Sequence, residues 1–448
     1  MHLGVDYNKN VAVGAAGPSV WAKLGPERWF PQYRIVCANG RDFTAPYVID
    51  MGISEQEVVD FLTTQSLLDL PQFATLANGQ LANYRFVVYR PVHTPSGMSA
   101  DRFIANDSAY SRYENKRVFR EMFHDMVAIP EYRIIPVAEL LQANSTATYE
   151  KYAAVLGNDF VMQDELGGGG RGTHMVSSAA DMHRVQKLLQ KEHKGTQVII
   201  SRRITGIERS MQACVTEAGV VLGPVQQQLV RNPELLNVDG REGMHFCGGR
   251  LVKETAKAVQ ERIEQVMHTI GDELQRSGYR GIFGVDFLVD ASRKVYAIEI
   301  NARTTGLLPL INEQHDTVPL YLLHILELAG EPYTFTNAAK IKPQSQEGPQ
   351  SFVVLFNKQP ALAYFDAEIT TGNYQFVGGT LQKMDDSPRW TPGADVMLQL
   401  FCSPSFRVKP NHKLCNIFLK NYGFDDDGNL RQDAHQVIAA LQKHIVAE

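Results

Sequence analysis

At 448 residues the chain exceeds what one ordinary hydrophobic core supports, so two or three domains are expected. A composition of 44% hydrophobic and 21% charged residues, with a formal charge of −5, excludes a disordered chain and any bulk attraction to nucleic acid or anionic membrane. The longest apolar run, VPLYLLHILELAG, is too short to span a bilayer. The N-terminus shows no basic segment leading into an apolar core, so a cytoplasmic protein is expected.

Five cysteines (Cys37, Cys214, Cys247, Cys402 and Cys415) are scattered without a CxxC, and the histidines form no HExxH. That argues against a disulfide framework and a zinc site, and leaves open a hard cation held by oxygens.

In chain order, residues 1–109 mix short β-rich runs (NVAVGA, YRIVCA, YRFVVYR) with a helical piece, SEQEVVDFLTTQSLLDL, as in a small α/β unit. VGAAGPSVW does not form GxGxxG, and Pro18 falls where a helix should open, so it reads as a strand-end turn. From 110 to 340, ENKRVFREMFHDM places Val118, Phe119, Met122, Phe123 and Met126 on one helical stripe. DFVMQDELGGGGRGTHMVSS follows as strand, glycine loop and strand, and DMHRVQKLLQKE as a helix. VQERIEQVMHTIGDELQRSGY is a long amphipathic helix carrying Val259, Ile263, Val266, Met267, Ile270 and Leu274. GIFGVDFLVDASRKVYAIEIN reads as a hairpin turning at 291–294, and TVPLYLLHILELAG as a buried helix ending at Gly330. A polar, proline-bearing linker, NAAKIKPQSQEGPQS, leads to a C-terminal α+β domain over 352–448 that opens with SFVVLFNKQ.

Chemistry concentrates in VYAIEINARTTG. Side chains two apart on a strand share a face. One face would carry Tyr296, Ile298 and Ile300 to a core, and the other Ala297, Glu299, Asn301 and Arg303. On the preceding strand Phe283, Val285, Phe287 and Val289 face one way, and Gly284, Asp286 and Leu288 the other. If the two strands pair, Asp286 joins Glu299 and Asn301, and adjacent carboxylates call for a cation between them. Three oxygen ligands suit magnesium; a solvated sheet face is the alternative. ELGGGGRGT lacks GK[ST] and is followed by a strand, so it is no Walker loop, but its amides are free to close over a polyphosphate.

A lysine opening a helix (Asn115–Lys116), the glycine-rich strand–loop–strand, Gly206-Ile207-Glu208, and an Asp…Glu-x-Asn strand pair occur in that order. Together they resemble the ATP-grasp superfamily of ligases, with EINAR the most specific piece. The resemblance covers about 110 to 330 and implies two α+β subdomains gripping ATP. It implies a small α/β domain before them and a β-rich domain after. Lys116 and Gln163 would then meet the nucleotide, with Gly168, Gly169 and Gly170 as its lid. Ser201, Arg202 and Ile204 would border adenine, and Glu208 would bond ribose. Asp286, Glu299 and Asn301 would hold Mg2+ (or Mn2+), and Arg303 would face the reacting carboxyl group.

Two positions depart from the family pattern. Gln163 stands where a second phosphate lysine is usual, and Gly284 where many members have an arginine; Arg303 is expected to take that electrophilic role. Q…GGGGRGT, GPVQQQL and FCGGRL look like the ATP-grasp ligases of peptide and aminoglycoside natural-product pathways. The resemblance implies an ADP-forming ligase that activates a small carboxylate as an acyl phosphate and joins it to an amine. The alternatives are a carrier-protein thiol as acceptor, or a non-catalytic nucleotide-binding module. Homodimers are common in the resembling family. The long loop RNPELLNVDGREGMHFCGGR suggests a substrate cover, in which Arg241 and Arg250 would clamp a second carboxylate.

Overall fold

The computed structural model describes residues 3–4, 11–15, 34–37, 48–50, 71–87, 98–104, 108–167, 170, 172–193, 195–237, 245–252, 256–313, 320–335, 348–402, 404 and 407–448. Three of the expected sites, Gly168, Gly169 and Arg241, lie outside them, as do the helical piece of the first region and Pro18.

The first region comprises β1 (Leu3–Gly4), β2 (Val11–Ala15), β3 (Arg34–Cys37), β4 (Val48–Asp50), α1 (Pro71–Asn78), β5 (Arg85–Val87) and β6 (Phe103–Ile104). The β-rich runs become a parallel five-stranded sheet in the order β4-β3-β2-β5-β6. Phe73 of α1 packs edge-on against Phe86 of β5 in a small core of its own.

Next come α2 (Lys116–Phe123), β7 (Tyr132–Pro136), α3 (Val137–Gln142), α4 (Ser145–Leu156), β8 (Phe160–Asp164), β9 (Thr173–Val176), α5 (Ala179–Glu192) and β10 (Gln197–Arg202). The strands form an antiparallel sheet ordered β7-β10-β8-β9. Period-two alternation sends Phe160, Met162, Val198 and Ile200 into a core shared with α4 and α5. Gln163 and Ile199, paired across β8 and β10, therefore face the other way.

The remainder comprises β11 (Gly206–Thr216), β12 (Gly219–Val230), β13 (Phe246–Leu251), α6 (Lys257–Arg276), β14 (Gly281–Asp290), β15 (Val295–Asn301), α7 (Leu308–Asn312), α8 (Leu320–Ala329) and β16 (Thr334–Phe335). It ends with β17 (Ser351–Phe356), β18 (Ala363–Phe365), β19 (Gly372–Val377), β20 (Thr380–Asp385), β21 (Val396–Leu400), β22 (Lys413–Leu419), α9 (Gln432–Gln442) and β23 (Ile445–Ala447). One ten-stranded sheet, β15-β14-β11-β12-β13-β17-β22-β21-β19-β20, runs through all of this. The join is β13 to β17, with Gly248 opposite Val353, so the C-terminal segment extends the preceding sheet. β1 pairs with β16, tying the start of the chain to the end of this unit.

α6 buries Val259, Ile263, Val266, Met267, Ile270 and Leu274, the stripe its periodicity predicts, against β11, β12 and β14. Two other expectations need correction. On α2 the buried residues are Lys116, Phe119, Arg120 and Phe123; Val118 is half-buried, and Met126 lies beyond the helix and is exposed. The stripe is turned because the helix presents two cations inward.

On β15 a bulge interrupts the alternation. Asp286 pairs with Glu299, yet Phe287 pairs with Ala297, so Ile298 is the extra residue. Val295, Ala297 and Ile300 therefore reach the core, while Tyr296 and Ile298 are only half-buried. Glu299 and Asn301 keep the polar face that the alternation assigns them.

Candidate active site

Three adjacent antiparallel strands assemble the carboxylates. In register, Asp286 of β14 lies between Ser210 of β11 and Glu299 of β15, and Gly284 lies opposite Asn301. Asn301 Nδ2 donates to Asp286 Oδ2 at 3.3 Å, and Gln228 Nε2 of β12 donates to Asp286 Oδ1 at 2.6 Å. The three expected metal ligands thus share one sheet face. Beside them, Ser210 Oγ and Gln226 Nε2 are buried without a hydrogen-bond partner among the described residues. Unsatisfied buried polar atoms are costly, and their presence marks a face built for something polar.

Lys116 closes this face from the side. Asn115 caps α2, its side chain accepting from the Arg117 and Val118 amides, and the Lys116 amide donates to Glu165 O at 2.9 Å. Buried Glu165 holds the helix start in turn, accepting from Asn115 Nδ2 at 3.0 Å and from the Gln197 amide at 3.0 Å. So placed, Lys116 Nζ lies 3.2 Å from Glu299 Oε2 and donates to Gly167 O at 2.8 Å, joining the metal-ligand candidates to the first glycine of the loop. Downstream, Gly172 has φ +77°, and a Cβ there would lie 2.7 Å from Asp164 Oδ2, so the loop's return is a glycine position on two counts. Gly170 also has positive φ, at 77°.

Arg303 is held between Asn301, whose Oδ1 accepts from Nη2 at 3.0 Å, and Glu114, whose Oε1 lies 2.8 Å from Nε.

The electrostatics separate the two facing carboxylates. Burial, then Glu299 and Glu208, push Asp286 well above the usual carboxylate range. Burial also opposes ionisation of Glu299, but Lys116 and Arg303 outweigh it and hold its pKa below the usual value. Glu208, half-buried on the same face, is pushed up by burial to about 7.

The remaining expected residues fall into two groups. Gln163 is buried, its Oε1 accepting from Nη2 of Arg120, which lies one helical turn from Lys116, at 2.8 Å. Ser201 is buried at the end of β10 and Ile204 is half-buried just beyond it. Arg202 points outward into a surface ion pair with Glu131 at 2.7 Å, as its neighbour Arg203, which was not among the expected residues, does with Asp159 at 3.2 Å.

Arg250 is not brought to the carboxylates. It pairs across strands with Gln227, whose parity is opposite to that of Gln228, and its Nε donates to Gln227 Oε1 at 2.8 Å. Its guanidinium pairs with Asp426 and packs over the rings of Tyr422 and Phe424 at 5.3 and 5.5 Å. Arg209 joins the same Asp426 at 3.3 Å. This cluster fastens the C-terminal segment to the opposite face of the sheet, so the expected substrate clamp is occupied by a structural contact.

Sequence reasoning missed Gln228, Arg120 and Glu114. The signal for Gln228 was available: in VQQQL, strand parity sends Gln226 and Gln228 to one face and Gln227 to the other. For Arg120 the spacing of four from Lys116 was the clue. Nothing local marks Glu114.

A divalent cation fits this donor set. Hard oxygens from Asp286 and Glu299 face each other, and the two carboxylates cannot both be charged comfortably without a proton or cation between them; Asn301 turns its amide nitrogen to Asp286 and its oxygen to Arg303, so its oxygen would have to rotate to join them. Among the described residues no group of three or more His, Cys, Asp or Glu that could hold a metal ion is found. No helix among those residues is long and apolar enough to cross a membrane.

Comparisons with known proteins bear on the fold. A family model described as the ATP-grasp domain matches residues 113–307. The biotin carboxylase domain of 2-oxoglutarate carboxylase from Hydrogenobacter thermophilus, crystallised as a dimer with MgADP, ADP and bicarbonate, superposes with a TM-score of 0.62 at 11% identity, covering 99% of this chain and 91% of that one. Phosphoribosylamine–glycine ligase from Thermotoga maritima gives 0.55 at 15% identity, over 98% and 97%. N5-carboxyaminoimidazole synthase from Aspergillus clavatus, bound to ADP and 5-aminoimidazole ribonucleotide, gives 0.53 at 13% identity, over 97% of each chain. No curated protein matches the chain in a sequence comparison.

Proposed function

We propose that this protein, which carries the ATP-grasp domain of ATP-dependent ligases over residues 113–307, is an ADP-forming enzyme that activates a small carboxylate and joins it to an amine. The observation that carries the reading is Lys116, whose ammonium touches both Glu299 and the carbonyl of Gly167. One cation there bridges the carboxylate pair and the loop that would cover a polyphosphate.

A carboxylate does not react with an amine in water because oxide is a hopeless leaving group. Transfer of the terminal phosphoryl group of ATP to a carboxylate oxygen releases ADP and gives an acyl phosphate. The amine then attacks the carbonyl carbon, loses a proton, and phosphate departs. Both transfers gather negative charge on oxygen, so positioned cations and amides provide the catalysis. Lys116 would stabilise charge on the phosphates, and Arg303, beside Asn301, would meet the carboxyl group. Glu208 would accept hydrogen bonds from ribose hydroxyls, and Gln163 would donate to the nucleotide. Mg2+ bound to Asp286, Glu299 and Asn301 would neutralise phosphate charge. The glycine loop would exclude water, which otherwise hydrolyses the acyl phosphate.

ATP with a panel of amino acids and small peptides, followed by ADP release and mass spectrometry of products, tests this. ADP formation that depends on both a carboxylate and an amine supports the reading. Tight ATP binding without ADP from any pair would sink it. The loop motifs shared with natural-product ligases make amino acids and short peptides the first panel to try.

A further inference from the structure

The side chain of Arg120 carries information the proposed function does not use. Its residue is 1% exposed, yet among the described residues its guanidinium is hydrogen-bonded to neutral acceptors, Lys116 O at 3.0 Å and Gln163 Oε1 at 2.8 Å, and lies 5.9 Å from the centre of the Tyr132 ring. Nε is buried with no hydrogen-bond partner among the described residues. A buried cation without a bonded carboxylate is costly, and a site retains one only where it does something.

What it does is visible in Gln163. An amide side chain has an acceptor end and a donor end of nearly the same shape, and its neighbours choose which way it points. Guanidinium offers donors only, so Arg120 can hold nothing but the Gln163 oxygen. The NH2 end is thereby turned away, toward Thr173 Oγ1 at 3.3 Å, on the strand that follows the glycine loop.

We propose that Arg120 is a positioning residue. It pins the oxygen of Gln163 so that the donor edge faces the nucleotide phosphates, letting a neutral amide serve an anionic ligand. This rests on the reading that the site takes ATP. With Arg120 gone, Gln163 is free to flip and present its oxygen to phosphate, which repels.

Binding of MgATP by calorimetry, steady-state kinetics and thermal melts on full-length variants test this. Gln163→Glu gains an ion pair with Arg120, so it should melt no lower than wild type. It places an acceptor where a donor was, so it should bind MgATP at least about tenfold more weakly, with KM affected more than kcat. Arg120→Leu should lose a similar factor. Arg120→Leu with Gln163→Lys should recover much of the loss, because a lysine amine has no acceptor end to present. A purely structural Arg120 predicts instead that melting temperature and affinity fall together in Arg120→Leu and that Gln163→Glu binds MgATP as wild type does; either result overturns the inference alone. Wild-type protein that binds no MgATP overturns both the inference and the reading beneath it.

Discussion

Lys116 and Glu299 meet at 3.2 Å although they come from opposite ends of the central region, one from the first turn of α2 and the other from the edge strand β15. Each is buried enough to need the other. The lysine lowers the pKa of the glutamate against its burial, and this is why Glu299, rather than Asp286, carries the charge.

Lys116→Met keeps the length and apolar stem while removing the charge. We expect kcat/KM for ATP to fall by about 10²–10³, the usual cost of losing one charge-stabilising donor at a transferring group. Glu299 would lose its main counter-charge, so its pKa should rise, and the melting temperature measured at pH 7 should fall.

Asp286→Asn and Glu299→Gln should each abolish the magnesium requirement together with the activity. Asp286→Asn removes a carboxylate whose charged form the protein disfavours, so the metal-free variant should be at least as stable as wild type near pH 7. Urea denaturation in EDTA distinguishes the two: Glu299→Gln is expected to be destabilised, because it leaves Lys116 buried without a counter-charge.

The pH dependence of stability follows from the signs. Glu208, raised to about 7, and Asp286, also raised, bind more protons folded than unfolded between their ordinary pKa values and their folded ones. Metal-free protein should therefore lose stability as pH rises from about 4.5 to 7. Glu299, with a lowered pKa, acts oppositely, and its contribution is lost only as pH falls below the ordinary glutamate value. Chemical denaturation across this range should show the slope, and Glu208→Gln should flatten it. A stability that climbs steadily from pH 5 to 7 in EDTA would contradict the burial argument.

Asp426→Asn removes the shared partner of Arg209 and Arg250, both buried on the far face of the sheet. Asp426 itself is 55% exposed on its side chain, so the loss is expected to be about 1–2 kcal/mol, below that for a fully buried pair. Arg250→Met should cost stability while leaving KM for each substrate unchanged; a large rise in KM would return Arg250 to the substrate site.

Much of this protein was legible in its residues. Local periodicity alone determined α6, the hairpin of β14 and β15, and the alternation that puts Glu299 and Asn301 on one face, because hydrophobic burial acts on spacings of 3.6 and 2 wherever a core forms. The glycine loop and the lysine at the opening of α2 were equally plain, since caps and positive-φ turns are local chemistry. Tertiary structure decided the rest. The bulge at Ile298 depends on how β15 docks against β14, and it moved Ala297 into the core. The inward turn of Arg120 and the oxygen it holds on Gln163 depend on a sheet formed far along the chain. Arg250 went to Asp426 because strand parity and a continuous ten-stranded sheet put it on the far side from the carboxylates. Partners for a charge are chosen by distance in space, and no spacing along the chain encodes that distance.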